Sequence, residues 1–242
     1  MAEISKTADQ ALTILLAVAE RGPRSSAQLA RDLRLNRTVV HRLLSTLRER
    51  GFVTRAEGGY IPGISLLRLS ERVQPELRAL GRIAMTRLAE EVGESIVMHV
   101  RDGEEAVVLE QVVSTGHIVR VEHTIGSRHP LEDGASGRAI LAFLDDASVR
   151  RVVERLRDPE VLLEQFDRTR RLGYSLSHDE LQQGVHGLAV PVFGDDGRAV
   201  ASVGILVPTS RSEDLTRHAD VLLTVGAEIS NALSRSVIGG SH

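Results

Sequence analysis

The sequence predicts an α+β protein of two modules: three short helices with a β-hairpin, then an antiparallel sheet of about six strands flanked by helices. Three observations carry this expectation. Apolar residues recur at helical spacing as far as Gly51 and then alternate along short segments bounded by glycine turns. Charge is partitioned, since residues 1–72 hold 12 Lys+Arg and 7 Asp+Glu, net +5, while the rest of the chain is net −8. The composition, 42% hydrophobic and 26% charged over 242 residues, is that of a globular chain long enough for one large domain or two small ones.

Composition also excludes whole classes of chemistry. There is no Cys, so disulfide frameworks and thiolate metal or redox sites are out. Six aromatics (Phe52, Tyr60, Phe143, Phe166, Tyr174, Phe193) and no Trp leave no stacking platform for single-stranded nucleic acid. Every basic residue except Lys6 is Arg, so the distribution of Arg is informative and its abundance is not.

In the first helix, Ala8, Ala11, Leu12, Leu15, Leu16 and Ala19 follow the i, i+3, i+4, i+7 rule and are expected to face the core. The run Ala11 to Ala19 is too short to span a bilayer, and Glu3 and Asp9 stand where a secretory signal is positive. A cytoplasmic protein with no membrane partner is expected. Gly22-Pro23 breaks the chain, and Ser25-Ser26-Ala27-Gln28 has capping-box form, opening a second helix over about 25 to 34 that buries Leu29, Ala30 and Leu33. Asn36 caps a third helix ending before Gly51, with Val40, Leu43, Leu44 and Leu47 inward.

The outer face of helix three carries Arg37, Thr38, His41, Arg42, Ser45 and Arg48. These are the donors and short polar groups that reach base edges and phosphates from a helix lying in a major groove. On this face alone, a solvated helix of an Arg-rich protein explains the residues equally well. Phe52 to Arg55, a glycine turn at Gly58-Gly59, and Tyr60-Ile61 then read as a hairpin, making a winged helix-turn-helix over residues 1–62. Between Arg24 and Arg55 stand 8 Arg against Asp32 and Glu49. Ser25, Ser26 and the wing's Arg55 complete the expected DNA-contacting set, and double-stranded operator DNA is the expected partner.

Residues 63–73, with Leu66, Leu67 and Leu69, read as a linker helix, and Pro75 suits the first turn of a helix running to Gly93 in a second domain, 74–242. Strands follow at Ser95 to Arg101 and Glu104 to Val113, hinged by Asp102-Gly103, with a third at His117 to Ile125. Gly126 to Gly137 reads as a loop, and helical patterns cover Arg138 to Leu144, Ala147 to Leu156 and Glu160 to Leu172. Strands return at Tyr174 to Ser177, Gly187 to Phe193 and Arg198 to Val207, and a last helix begins at Ser212, burying Leu215, Ala219, Leu222, Ile229 and Leu233.

No catalytic residue, cofactor or metal is expected. Gly134-Ala135-Ser136-Gly137 is followed by Arg138 where a nucleophile elbow needs Gly, and phosphate-loop, zincin and dinucleotide-binding patterns are missing. His117, His123 and His129 fall at intervals of six and His178 and His186 eight apart, which match no usual ligand spacing. The Gly-Ala-Ser-Gly segment opening a helix does offer free backbone N–H groups to an anion.

The chain resembles the IclR-type bacterial transcriptional regulators. The likeness is carried by Lys6–Leu16, Leu29–Leu35, Thr38–Gly51, the wing end Tyr60-Ile61-Pro62-Gly63, Leu131–Leu141, Arg171-Leu172-Gly173-Tyr174 and Gly187–Phe193, in the family's order. It implies a GAF-like domain binding a small-molecule effector, an organic or aromatic acid, and homodimers assembling into homotetramers on a palindromic operator. It also implies an effector pocket from Leu131, Gly134, Ala135 and Ser136, with Met98 of the first strand and Ser177, Gly187, Gly204 and Leu206 of the late strands. Where acid-sensing members carry Cys or Ser, this chain has Gly187, Gly204 and Leu206, adding room or apolar surface, and Glu132 and Asp133 disfavour a carboxylate unless both point to solvent or Arg128 and His129 offset them. An alternative reading is a sensor or enzyme domain whose winged helix serves protein association.

Overall fold

The computed structural model describes residues 4–239. Packing divides the chain into two compact units between Pro75 and Glu76. No helix among the described residues is long and apolar enough to cross a membrane.

In the first unit, α1 (Lys6–Glu20), α2 (Ser26–Asp32) and α3 (Arg37–Glu49) enclose Ile14, Val18, Leu29, Ala30, Val40, Leu44, Val53 and Tyr60. The expected inner face of α1 is corrected. Ile14 and Val18 are fully buried, whereas Leu12 and Leu16 are 60% and 61% exposed, with Ala8 and Ala19 also exposed. Lys6, Asp9, Thr13 and Glu20 mark a polar side, but the apolar arc opposite is wide enough that periodicity alone does not select which part of it is buried.

Ser25 closes a full capping box, its side chain accepting from Gln28 N while the Gln28 side chain accepts from Ser25 N. Asn36 Oδ1 accepts from Thr38 N at 2.8 Å and opens α3. The wing pairs β1 (Val53–Ala56) with β2 (Gly59–Pro62). Gly59 is required where β2 meets Arg24, since an added Cβ would lie 2.1 Å from the Arg24 carbonyl carbon; that approach lets Tyr60 N donate to Arg24 O at 2.9 Å. The linker helix α4 (Ser65–Ser70) is anchored by Ser65 Oγ donating to Arg50 O.

The second unit is built on a wholly antiparallel sheet in the order β5-β4-β3-β8-β7-β6. Its strands are β3 (Ser95–Asp102), β4 (Glu105–Val112), β5 (Arg128–Pro130), β6 (Ser175–His178), β7 (Val185–Phe193) and β8 (Ala199–Pro208). Strand alternation sends Ile96 and Met98 of β3 and Val203 and Ile205 of β8 to one face, against α5 (Pro75–Val92) and α9 (Ala219–Gly239). The other face carries α6 (Gly134–Leu141), where Ala135 and Ala139 meet Ala189 of β7. Two further helices, α7 (Asp146–Val153) and α8 (Pro159–Leu172), pack Val152, Leu162 and Phe166 with Leu131 and Ile140.

Three expectations change. His117 to Ile125 is not a strand: the short β5 pairs with β4 over Glu105–Val107, while the segment leaves Ile118 99% exposed, tucks Val121 against Val97 and Val108 and turns His123 partly inward. The loop expected to Gly137 ends earlier, because the small residues from Gly134 already turn as α6. The last helix begins at Ala219 rather than Ser212, preceded by two 3-10 turns, Thr209–Arg211 and Leu215–His218.

Candidate nucleic-acid interface and ligand pocket

On α3, Arg37, Thr38, His41, Arg42 and Arg48 are exposed and Ser45 is half-buried, opposite the buried Val40 and Leu44. Arg24 and Arg31 both approach Asp32, but no salt bridge among the described residues engages Arg37, Arg42, Arg48 or Arg55. Unspent cations on the outward face of a rigid helix are placed to meet phosphates or guanine edges. Arg55 stands on the wing with its guanidinium 5.5 Å from the centre of the Tyr60 ring.

Ser25 and Ser26 stand at the start of α2, both half-buried, and the Ser25 hydroxyl is already held by Gln28. Ser25→Ala is expected to cost about 1 kcal/mol of stability in denaturant unfolding. A loss well under half of that would leave the capping box without energetic weight.

In the second unit, Ala135, Ser136, Ser177, Gly187 and Leu206 come together around a cavity of about 20 Å³ with His99, His123, Leu181, Gln182 and Val185, room for little more than one water. Met98 and Leu131 lie elsewhere. Met98 is on the opposite face of the sheet, its Cε where a Cβ on Gly81 would fall, and Leu131 packs in the core beside Ile140. The space expected at Gly187 and Gly204 is already filled: a Cβ on Gly187 would lie 2.9 Å from Ser177 Oγ, and one on Gly204 would lie 3.1 Å from Ala189 Cβ and 3.4 Å from Ser136 Oγ. These glycines let α6 lie close to the sheet and leave room beside Gly187 for the Ser177 hydroxyl of the neighbouring strand β6. A larger hollow of about 510 Å³ lies on the α9 side, lined by Phe143, Pro191, Phe193 and Leu223 among others, away from every expected effector residue.

At the helix N-terminus where an anionic ligand is expected, the structure places the chain's own Glu180. Gly134 N donates to Glu180 Oε2 at 3.0 Å, and Arg138, 2% exposed, grips the same carboxylate through both terminal nitrogens while also donating to Leu176 O. Burial pushes the Glu180 carboxyl up, but the hydrogen bond and charge of Arg138 and the Gly134 N–H prevail and hold it below the ordinary carboxylate range. Leu181 follows, its Cδ1 occupying the place of a Gly134 Cβ. Arg128 does not offset Glu132 and Asp133, because Asp102 and Glu105 engage it.

Sequence reasoning missed Arg138, Glu180 and a histidine group. His99 of β3 is buried 5.1 Å, ring centre to ring centre, from His129 and 6.0 Å from His123. Desolvation depresses all three, most strongly His99, with the neighbouring rings adding to the effect on His99 and His123. Strand alternation places His99 on the cavity face once β3 is oriented, but the irregular segment bearing His123 has no period to read.

Comparison with known proteins agrees with this architecture. The family model for the IclR helix-turn-helix domain matches residues 7–57, and that for the bacterial transcriptional regulator IclR C-terminal domain matches 73–231. The chain is 29% identical over 214 residues to the HTH-type transcriptional regulator KipR of Bacillus subtilis, covering 83% of this chain and 85% of that protein. It is 29% identical over 243 residues to the transcriptional repressor IclR of Escherichia coli, covering 91% and 87%. Solved structures share the fold: an IclR transcriptional regulator from Alicyclobacillus acidocaldarius superposes with TM-score 0.84 at 24% identity, covering 96% of this chain and 100% of that one. An IclR homolog from Microbacterium hydrocarbonoxydans, complexed with 4-hydroxybenzoate, superposes with TM-score 0.82 at 20% identity, covering 94% and 98%. The chain belongs to the IclR family of bacterial transcriptional regulators, with a DNA-binding helix-turn-helix domain joined to an effector-binding C-terminal domain.

Proposed function

We propose that this protein binds a palindromic operator as a homodimer, itself pairing into a homotetramer, and that a small metabolite in the C-terminal domain alters the geometry with which the two winged modules meet the DNA. The observation that carries the reading is the exposed row of unpaired arginines on α3. In this reading α3 enters the major groove, with Arg37, Thr38, His41, Arg42, Ser45 and Arg48 toward bases and phosphates, while Ser25, Ser26 and Arg55 meet the flanking backbone. Two-fold symmetry follows from one recognition helix per half-site. The protein acts where the chromosome is, in the cytoplasm, and no catalytic step is assigned to it.

The effector class proposed is an organic acid, in line with the 4-hydroxybenzoate held by the structural neighbour from Microbacterium hydrocarbonoxydans. The pocket residues proposed to receive it are Ala135, Ser136, Ser177, Gly187 and Leu206, which line the cavity; Gly134 and Gly204 are left out of that set, because the Gly134 N–H is held by Glu180 and Gly204 is packed against Ala189 and Ser136.

The deciding experiment is selection of a binding site from random DNA by the full-length protein, followed by affinity across a salt series. The reading expects a preferred inverted repeat and a steep salt dependence, with loss of roughly three or more decades between dilute and physiological salt. No preferred sequence would end it. Dimerisation is proposed to use the exposed Leu12 and Leu16 of α1. Leu12→Glu with Leu16→Glu should sediment as a species of half the mass, unfold at the wild-type temperature, and bind the operator roughly a hundredfold more weakly; an unchanged mass would place the interface elsewhere.

A further inference from the structure

Beside the small cavity sit buried polar atoms that no protein group answers. His99 is 1% exposed and neither of its ring nitrogens has a hydrogen-bond partner. Ser202, its cross-strand partner on β8, is fully buried with its hydroxyl equally unanswered among the described residues, and Nε2 of His129 is a fourth such atom. Leaving buried donors and acceptors unpaired is costly, and clusters of them mark places where something else supplies the partner. A neutral imidazole offers one donor and one acceptor and a serine hydroxyl adds another donor, a set that matches the two oxygens of a carboxyl group.

The charges around the cavity narrow the ligand further. Its lining includes His99, His123, Ser136, Ser177 and Gln182 among apolar residues and no permanently charged side chain. Arg138 is held by Glu180, and Arg128 by Asp102 and Glu105. A carboxylate entering here therefore finds positive charge only if an imidazole acquires it.

We propose that the pocket takes a small monocarboxylic acid together with one proton from solvent, carried by His99 as imidazolium against the bound carboxylate. This rests on the effector-binding reading of the same domain and specifies its ligand. An acid larger than a water requires the strap 179–184, with Leu181 and Gln182 over the cavity, to yield.

The groups facing His99 are His123, from the irregular segment after β4, and His129 of β5, while Asp133 and Arg138 act on His129 in opposite directions. From the flanking strands, β4 presents Val108 and β8 presents Ser202. Burial and the two rings hold free His99 well below its ordinary range, so it is neutral at neutral pH. A bound anion raises it, binding takes up a proton, and affinity rises as pH falls, by about tenfold per pH unit while the free imidazole is neutral and the free acid ionised.

The test is calorimetry on the full-length protein with a panel of monocarboxylates from acetate to 4-hydroxybenzoate and their primary amides, between about pH 8 and about pH 6, in buffers of differing ionisation enthalpy. At least one acid is expected to bind with uptake of about one proton and more tightly at the lower pH, its amide failing to do so. In His99→Gln, chosen to keep a polar group of similar size, the proton uptake should vanish and binding at the lower pH should weaken at least about tenfold, with thermal unfolding near wild type. Acid binding without buffer dependence, or proton uptake surviving in the variant, overturns the proposal; the wild-type measurement decides even if the variant misfolds. Amides binding wild type and variant alike would remove the acid while leaving the effector pocket. If no acid or amide binds or alters operator affinity, the acid proposal and the organic-acid effector reading both fall.

Discussion

Replacing Arg37 and Arg42 together by alanine is expected to weaken operator binding by about a hundredfold or more without lowering the unfolding temperature. Each specific contact from such a side chain is worth about 1–3 kcal/mol, and two of them carry that factor. Both arginines are exposed on α3 and engaged in no salt bridge among the described residues, so their removal leaves no buried partner stranded. The salt dependence separates their roles. If both contact phosphates, the slope of log affinity against log salt should flatten by roughly 2; if they read bases, the slope holds and sequence preference relaxes. Operator affinity within threefold of wild type would remove α3 from the groove.

The second large effect is on stability. Glu180→Ala should destabilise the C-terminal domain by about 2–3 kcal/mol in denaturant unfolding, because Arg138, its side chain 3% exposed, would keep only carbonyl acceptors for a buried charge. The figure sits below the usual cost of breaking a buried pair because the Glu180 side chain is 31% exposed and partly screened. Arg138→Leu should cost less, since it removes the buried charge and strands only a carboxylate that solvent already reaches. The reverse order would mean the guanidinium serves chiefly as packing. The pH dependence has a definite sign: the folded Glu180 carboxyl lies below its unfolded value near about 4.3, so the pair's contribution is full above that value and fades as pH falls through the folded one. In Glu180→Ala that acid-side component should be missing.

Much of the fold is legible in the chain because the signals are local. Capping at Ser25 and Asn36, the glycine turn of the wing and the Asp102-Gly103 hinge depend on residues a few positions apart, and each sits where those neighbours require. Elements fail to be legible where the local pattern is degenerate. Helix α1 has a wide apolar arc, and only packing against α3 and β2 selects Ile14 and Val18 over Leu12 and Leu16. The segment 117–125 alternates like a strand but pairs with no strand of the sheet; it is held instead by Val121 against Val97 and Val108 and by His123 N donating to Gln111 Oε1, contacts that local alternation does not encode.

The DNA-facing residues and the ligand pocket differ in the same way. Arg37 to Arg48 lie on one helix, so their sharing a face follows from a 3.6-residue repeat and needs no long-range contact. The pocket draws on β3, α6, β6, β7, β8 and the segments between them. Sequence could nominate the small residues near it, yet could not say that Met98 points through the sheet, that Gly187 and Gly204 are spent on close packing, or that Glu180 returns from 46 positions away to the Gly134 N–H. The sequence by itself determined the two modules, the recognition helix and its cations, because propensity, capping and charge act over a few residues. Tertiary structure alone decided which buried polar groups meet and which remain unanswered, because burial and charge pairing depend on residues brought together across the whole domain.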